Sequence, residues 1–218
     1  MDFFNYLHFV LKSGGYIMEI KMIKTGMLET NTYVVVKDNY CLVIDPGDDL
    51  HKINNYLNSK NLKVSAILLT HGHCDHIGVA KELALIEKCN IYASLYEKEI
   101  IEDETKNGSL LYFRKNITID NVIYFDEEVV LEIADFKVEV VFLPGHTPGG
   151  VGYIIGDAIF TGDTLFKGTY GRIDLYGGNK NDMKKSLSYL FTLDSSFKVF
   201  PGHGEVTTIG EEKVRYRL

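Results

Sequence analysis

A chain of 218 residues, 45% of them hydrophobic, can bury a core of ordinary size, and that length suits one domain. The formal net charge of −7 leaves no basic footprint, which disfavours a nucleic-acid substrate, and three cysteines without regular spacing make no disulfide framework. No apolar run approaches the roughly 18 residues of a spanning helix, so no membrane is expected, and the reading is a cytoplasmic monomer or homodimer that acts on a small molecule.

Residues 1–17 pair a short apolar stretch with an acidic start and lack the basic region and small-residue cleavage site of a signal peptide. They read as an N-terminal extension, with a single domain over 18–218. Within it, runs rich in strand formers predict strands at 18–25, 32–37 and 40–45, and a helix at 49–59. A strand at 64–69 (VSAILL in the sequence) leads into a short loop and then a helix at 77–89. Further strands are predicted at 91–94, 136–143, 151–155, 158–161 and 197–200. A helix at 182–193 carries Met183, Leu187, Leu190 and Phe191 on one face behind Asp182 as its N-cap. Periodicity alone gives a mixed α/β (α+β) chain.

The loop after 64–69 reads His71-Gly72-His73-Cys74-Asp75-His76, a density of metal donors that a fold alone has no reason to make. Three more donors follow apolar runs and stand beside glycine: His146 in Pro144-Gly145-His146, Asp163 in Thr161-Gly162-Asp163-Thr164, and His203 in Pro201-Gly202-His203. Strand, sharp turn and donor recur, which presents each side chain at a rim. Five of the seven histidines fall in these turns, leaving His8 and His51 outside. Imidazole with carboxylate suits zinc, manganese or iron, and the lack of a thiolate cluster argues against structural zinc or an iron–sulfur centre. Cys74 is set aside as a ligand because adjacent residues at a strand end point opposite ways, and Cys41 and Cys89 read as small core residues.

In these residues the chain resembles the metallo-β-lactamase superfamily, whose signature is H-x-H-x-D-H followed by a distant His, Asp and His. The likeness runs from about Thr30 to Gly210. Gly145-His146-Thr147-Pro148-Gly149, Thr161 to Phe166, Gly171 to Leu175 and Pro201-Gly202-His203-Gly204 are similar to the short glyoxalase II-like hydrolases. The resemblance implies a four-layer αββα sandwich with the metal site at one edge of the two sheets. It implies two divalent ions, zinc first with iron or manganese as alternatives. His71, His73 and His146 would hold one ion, Asp75, His76 and His203 the other, and Asp163 would bridge them.

The activity expected is hydrolysis of a hydroxyacyl thioester such as S-D-lactoylglutathione by a metal-bridging hydroxide, with Asp75 and Asp163 positioning the water. No G-x-S-x-G elbow is present to offer a serine nucleophile. Asp45, at the end of LVID, is a candidate to accept the outer N–H of a ligand histidine, or alternatively forms an Asx turn into Pro46. Lys167, Tyr170 and Arg172, in the glycine-rich stretch after Asp163, are candidates for substrate binding; an Arg172–Asp174 ion pair is the competing reading. Full-length glyoxalase II enzymes carry a C-terminal helical region that helps bind glutathione, and only residues 204–218 follow His203, which leaves the thiol of the substrate open. The alternative is a persulfide dioxygenase of the same fold, with one iron on His71, His146 and Asp163. A non-catalytic metal-binding protein has no need of seven intact donors.

Overall fold

The computed structural model describes residues 7–13 and 16–216. The first sheet contains, in spatial order, β1 (Leu7–Ser13), β2 (Tyr16–Thr25), β3 (Thr30–Lys37), β4 (Tyr40–Ile44), β5 (Lys63–Leu68), β6 (Asn90–Ser94) and β7 (Ile123–Phe125). Pairing is antiparallel up to β4 and parallel from β4 to β7. β1 lies inside the stretch read from sequence as an extension and pairs with β2 from Leu7↔Met22 to Ser13↔Tyr16.

The second sheet is built from β8 (Val130–Ile133), β9 (Phe136–Phe142), β10 (Val151–Ile155) and β11 (Ala158–Gly162). A small ribbon of β12 (Leu165–Phe166) and β13 (Thr169–Tyr170) follows, and then β14 (Lys198–Pro201) and β15 (Thr207–Thr208) complete the order β15-β14-β11-β10-β9-β8.

Three apolar clusters separate four layers. Between the sheets lie Ile20, Tyr33, Leu42, Ile44, Val138, Tyr153, Phe160 and Phe200. On the outer face of the first sheet, α1 (Leu50–Lys60) and α3 (Ala80–Glu87) bury Ile53, Leu57 and Leu83 against Val34, Val43 and Ile67. On the outer face of the second, α6 (Lys180–Leu190) and α7 (Ile209–Tyr216) bury Met183, Leu187, Leu190 and Ile209 against Val141, Ile159 and Val199. Successive strand residues point to opposite faces. Leu42 and Ile44 therefore face the partner sheet while Cys41 and Val43 face α1, which is why β4 is apolar at every buried position. Among the described residues no helix is long and apolar enough to cross a membrane.

Two elements depart from the sequence reading. The helix expected at 77–89 is divided: a single turn α2 (Cys74–Ile77) carries the donor loop, and α3 begins only at Ala80. Gly78 sits at the break, where a Cβ would lie 2.0 Å from the Gly47 carbonyl oxygen. The helix expected at 182–193 spans Lys180–Leu190, and its cap is Asn179, whose side-chain oxygen accepts the N–H groups of Asn181 and Asp182. Asp182 thus sits inside the first turn. Two short helices, α4 (Lys98–Ile101) and α5 (Ser109–Tyr112), lie between β6 and β7.

At one edge the two sheets are knitted together. The Tyr33 hydroxyl of β3 donates to the Pro201 carbonyl at 2.6 Å, and the Tyr153 hydroxyl of β10 donates to the Leu69 carbonyl at 2.7 Å. The Val151 N–H reaches the Thr70 carbonyl at 2.9 Å, and the Asn31 N–H the Gly202 carbonyl at 2.7 Å. Tyr33, Phe160 and Phe200 fill the space behind these bonds, with ring centroids 5.1 to 5.5 Å apart. Phe160→Ala is expected to cost about 3–5 kcal/mol, and Tyr153→Phe, which strands the Leu69 carbonyl, about 1–3 kcal/mol. Urea unfolding of the two variants checks both magnitudes and their order.

Candidate metal centre

Parallel pairing aligns strand ends. β4 and β5 run the same way, as do β11 and β14, and β9 runs with β11 because both are antiparallel to β10. Asp45 after β4, His71 to His76 after β5, His146 after β9, Asp163 after β11 and His203 after β14 all emerge at the knitted edge. Two glycines allow the approach. Gly145 adopts φ +141, where a Cβ would lie 2.3 Å from Met183 Cα, and a Cβ on Gly202 would fall 2.2 Å from Asp163 Oδ1.

The structure brings together all seven residues singled out as donors. Donor atoms of His71, His73 and His146 lie within 4.8 Å of one another, as do those of Asp75, His76 and His203. Asp163 touches both groups: Oδ2 is 3.5 Å from His146 Nε2 and 3.6 Å from His203 Nε2, and Oδ1 is 3.3 Å from His76 Nε2. Asp75 Oδ2 is 3.2 Å from His203 Nε2 and accepts the Thr30 hydroxyl at 2.8 Å. Cys74 belongs to none of the donor groups found among the described residues.

Hydrogen bonds behind the rings set which nitrogen faces inward. His146 Nδ1–H donates to the Arg172 carbonyl at 2.7 Å and His203 Nδ1–H to the Leu28 carbonyl at 3.1 Å. His76 Nδ1–H donates to Asp45 Oδ2 at 2.9 Å. The Thr70 hydroxyl gives its proton to the same carboxylate at 2.6 Å, so its oxygen is left to accept from His71 Nδ1 at 3.1 Å. Each of these four imidazoles is thereby held with Nε2 inward. His73 is turned the other way, with Nδ1 2.8 Å from His146 Nε2. Asp45, which also accepts the Thr70 N–H at 2.8 Å, supports two rings from behind.

The electrostatics fit a cation. Burial, followed by the neighbouring imidazoles, pushes His71 well below the usual histidine range and His73 down to about 3. Asp163 is held at about 2, because His76, His146 and His203 outweigh burial, and Asp75 is pulled lower still as His76 and His203 likewise outweigh its burial. His76 and His203 go the other way: burial lowers both, yet Asp75, Asp163 and Asp45 together raise His76 well above the usual range, and the Asp75 hydrogen bond with the Asp163 charge raises His203. Among the described residues the buried Nε2 atoms of His71 and His76 and Asp163 Oδ1 have no hydrogen-bond partner. Buried polar atoms rarely go unpaired, and imidazoles together with ionised carboxylates are a donor set suited to a divalent ion.

One supporting residue carried no signal in the sequence. Glu97, fully buried, accepts the Gly72 N–H on Oε2 and the Gly149 N–H on Oε1, both at 2.7 Å. It ties the loop of His71 and His73 to the loop of His146. Burial pushes its carboxyl up to about 7 against those hydrogen bonds. In sequence it is one acid among several in the stretch from Glu97 to Glu104.

A cavity of about 440 Å³ opens outward from His73, Asp75, His146, Asp163 and His203. Of the three candidates for substrate binding, Arg172 lines it; Lys167 is paired with Glu205, and Tyr170 stands against Tyr216 on the flank of α7. Glu97→Gln would set an amide NH₂ against one of two N–H donors, and a loss of about 1–3 kcal/mol is expected in thermal or urea unfolding. Asp45→Ala, which frees two rings, is expected to weaken metal binding about 10–100-fold in chelator competition.

Comparison with known proteins agrees with this geometry. The chain is 38% identical to the probable metallo-hydrolase YqgX of Bacillus subtilis, over 90% of this chain and 95% of that one. It is 30% identical to the hydroxyacylglutathione hydrolase GloC of Haemophilus influenzae, with the same shares covered. Among solved structures, the B3 metallo-beta-lactamase BLEG-1 superposes with a TM-score of 0.86 at 34% identity, covering 89% of this chain and 96% of its own. The sequence profile of the metallo-beta-lactamase superfamily matches residues 25–203, which takes in the whole donor set, and the chain belongs to that superfamily of metal-dependent hydrolases.

Proposed function

We propose that the protein is a binuclear metal-dependent thioester hydrolase of the glyoxalase II type. The observation that carries this reading is the position of Asp163, with one carboxylate oxygen facing both His146 and His203. A carboxylate between two donor groups is the arrangement that two neighbouring cations need to offset their repulsion. His71, His73 and His146 would hold one ion and Asp75, His76 and His203 the other. When bound, such ions supply water ionised near neutral pH and a Lewis acid for the carbonyl oxygen.

The chain's own residues do the rest. Thr30 fixes Asp75, and the Arg172 and Leu28 carbonyls fix His146 and His203, so the donors are set before a substrate arrives. The Cys74 thiol is pushed up to about 12 by burial and then by Asp75, which leaves no thiolate to act as nucleophile. GloC, named as a hydroxyacylglutathione hydrolase, supports the thioester class, and zinc is the proposed metal, with iron or manganese as alternatives. The second donor group favours two ions over the single iron of a persulfide dioxygenase.

Metal-loaded protein is expected to bind two ions per chain and to release thiol from thioesters, S-D-lactoylglutathione among them, with the activity lost in chelator. His146→Ala and Asp163→Ala are each expected to abolish release; more than a few per cent of activity retained in both would overturn the reading. So would a single iron with oxygen uptake, or hydrolysis of the β-lactam nitrocefin faster than of every thioester tried.

A further inference from the structure

The cavity at the donor edge has a chemical character of its own. Its outer wall is made by Leu28 from the β2–β3 turn, Leu111 and Tyr112 from α5, and Leu175 and Tyr176 from the loop before α6. Leu111 is 75% exposed, Tyr176 45%, Leu28 44% and Tyr112 42%, so largely apolar surface stands open to water at the mouth of the cavity that reaches the donors. Apolar side chains gathered at the mouth of a cavity mark a surface that a ligand covers. They belong to three separate segments of the chain, and each of the two tyrosines also turns a hydroxyl to a charged neighbour, Tyr112 to Arg172 and Tyr176 to Glu99.

The charges at the mouth are arranged the other way. Two cations line the cavity, and each already faces acids. Arg172 holds Asp174 in two parallel bonds of 2.7 and 2.8 Å. Lys106 pairs with Glu99, lies 3.4 Å from Asp103, and sits 5.2 Å from the centre of the Tyr176 ring. Such exposed pairs are weak and can open. A ligand carboxylate that opened them would still meet the displaced Asp174, Asp103 and Glu99, and like charges brought together are costly.

We infer that the cavity takes a thioester whose non-reacting part is an apolar, uncharged chain, in preference to the two carboxylates of a glutathione thioester. This rests on the thioester-hydrolase reading above for the reaction, and on the cavity wall alone for the selectivity. Leu111 and Tyr112 of α5 act as specificity-determining residues, reached by the chain while the carbonyl lies at the donor edge.

The test separates the two claims. Metal-loaded protein is titrated with neutral amides from butanamide to octanamide, followed by the backbone amide signals of Leu111 and Tyr112, with S-methylglutathione as the charged comparison. Affinity is expected to rise about two- to fourfold for each methylene covered, at least about tenfold across the series, and the gain to shrink in Leu111→Ser, a change at an exposed position. Asp174→Asn, which releases Arg172, is expected to improve S-methylglutathione binding severalfold. In parallel, kcat/KM for N-acetylcysteamine thioesters should climb from acetyl to octanoyl and pass that for S-D-lactoylglutathione. A flat or falling amide series, or S-methylglutathione binding more tightly than octanamide, overturns the inference. A rising amide series with no thioester cleaved upholds the apolar cavity and overturns the hydrolase reading instead.

Discussion

Everything at the donor edge depends on the two sheets being locked in one relative position there, and two buried hydroxyls, together with the Val151 and Asn31 backbone bonds, form the lock. Tyr33 reaches from the first sheet to the Pro201 carbonyl, two residues before His203, and Tyr153 reaches from the second to the Leu69 carbonyl, two residues before His71. Inside a protein a satisfied hydrogen bond is stronger than in water, and an unsatisfied carbonyl is costly. Neither sheet can slide without stranding one of these groups. Donor atoms carried by loops of different sheets can then converge to within a few ångströms, which no single loop could arrange.

Convergence carries a cost that the surrounding polar groups offset. Five imidazoles and two carboxylates, most of them buried, repel and attract one another in a low-dielectric pocket, and the inward Nε2 atoms of His71 and His76 and Asp163 Oδ1 lack partners among the described residues. Asp45, Thr70 and Glu97 meet this from behind. They hold ring orientation and loop spacing through hydrogen bonds to groups that face away from the centre. The site is therefore preorganised by atoms that never face a substrate, a division common where geometry decides chemistry.

Much of this was legible in the sequence, for a definite reason. The donors are local: six residues of one loop and three glycine-flanked turns announce themselves without any knowledge of contacts. The central strands were legible as apolar runs, since strands covered on both faces cannot alternate, whereas their arrangement in four layers followed from the family resemblance and not from periodicity. Asp45 could be read because it ends a strand beside the donors, and the Arg172–Asp174 pair because its members are two residues apart. What escaped depends on distance along the chain. Glu97 acts on residues 25 and 52 positions away, and an acid in a charged stretch gives no hint of burial. Thr30 reaches Asp75 across 45 positions. Lys167 and Tyr170 were drawn toward the site by proximity in sequence to Asp163, whereas the β12–β13 ribbon carries them to Glu205 and Tyr216. The break before α3 is set by the close approach of Gly47 and Gly78, which periodicity does not register.

Two of the imidazoles lean on the main chain and not on side chains: His146 on the carbonyl of Arg172, and His203 on that of Leu28. The side chains of those same two residues line the cavity. Each position thus holds a donor ring through its backbone and shapes the cavity through its side chain. A point mutation at 28 or 172 exchanges the second without touching the first, so within this architecture the cavity wall can drift in evolution while the donor geometry is inherited intact.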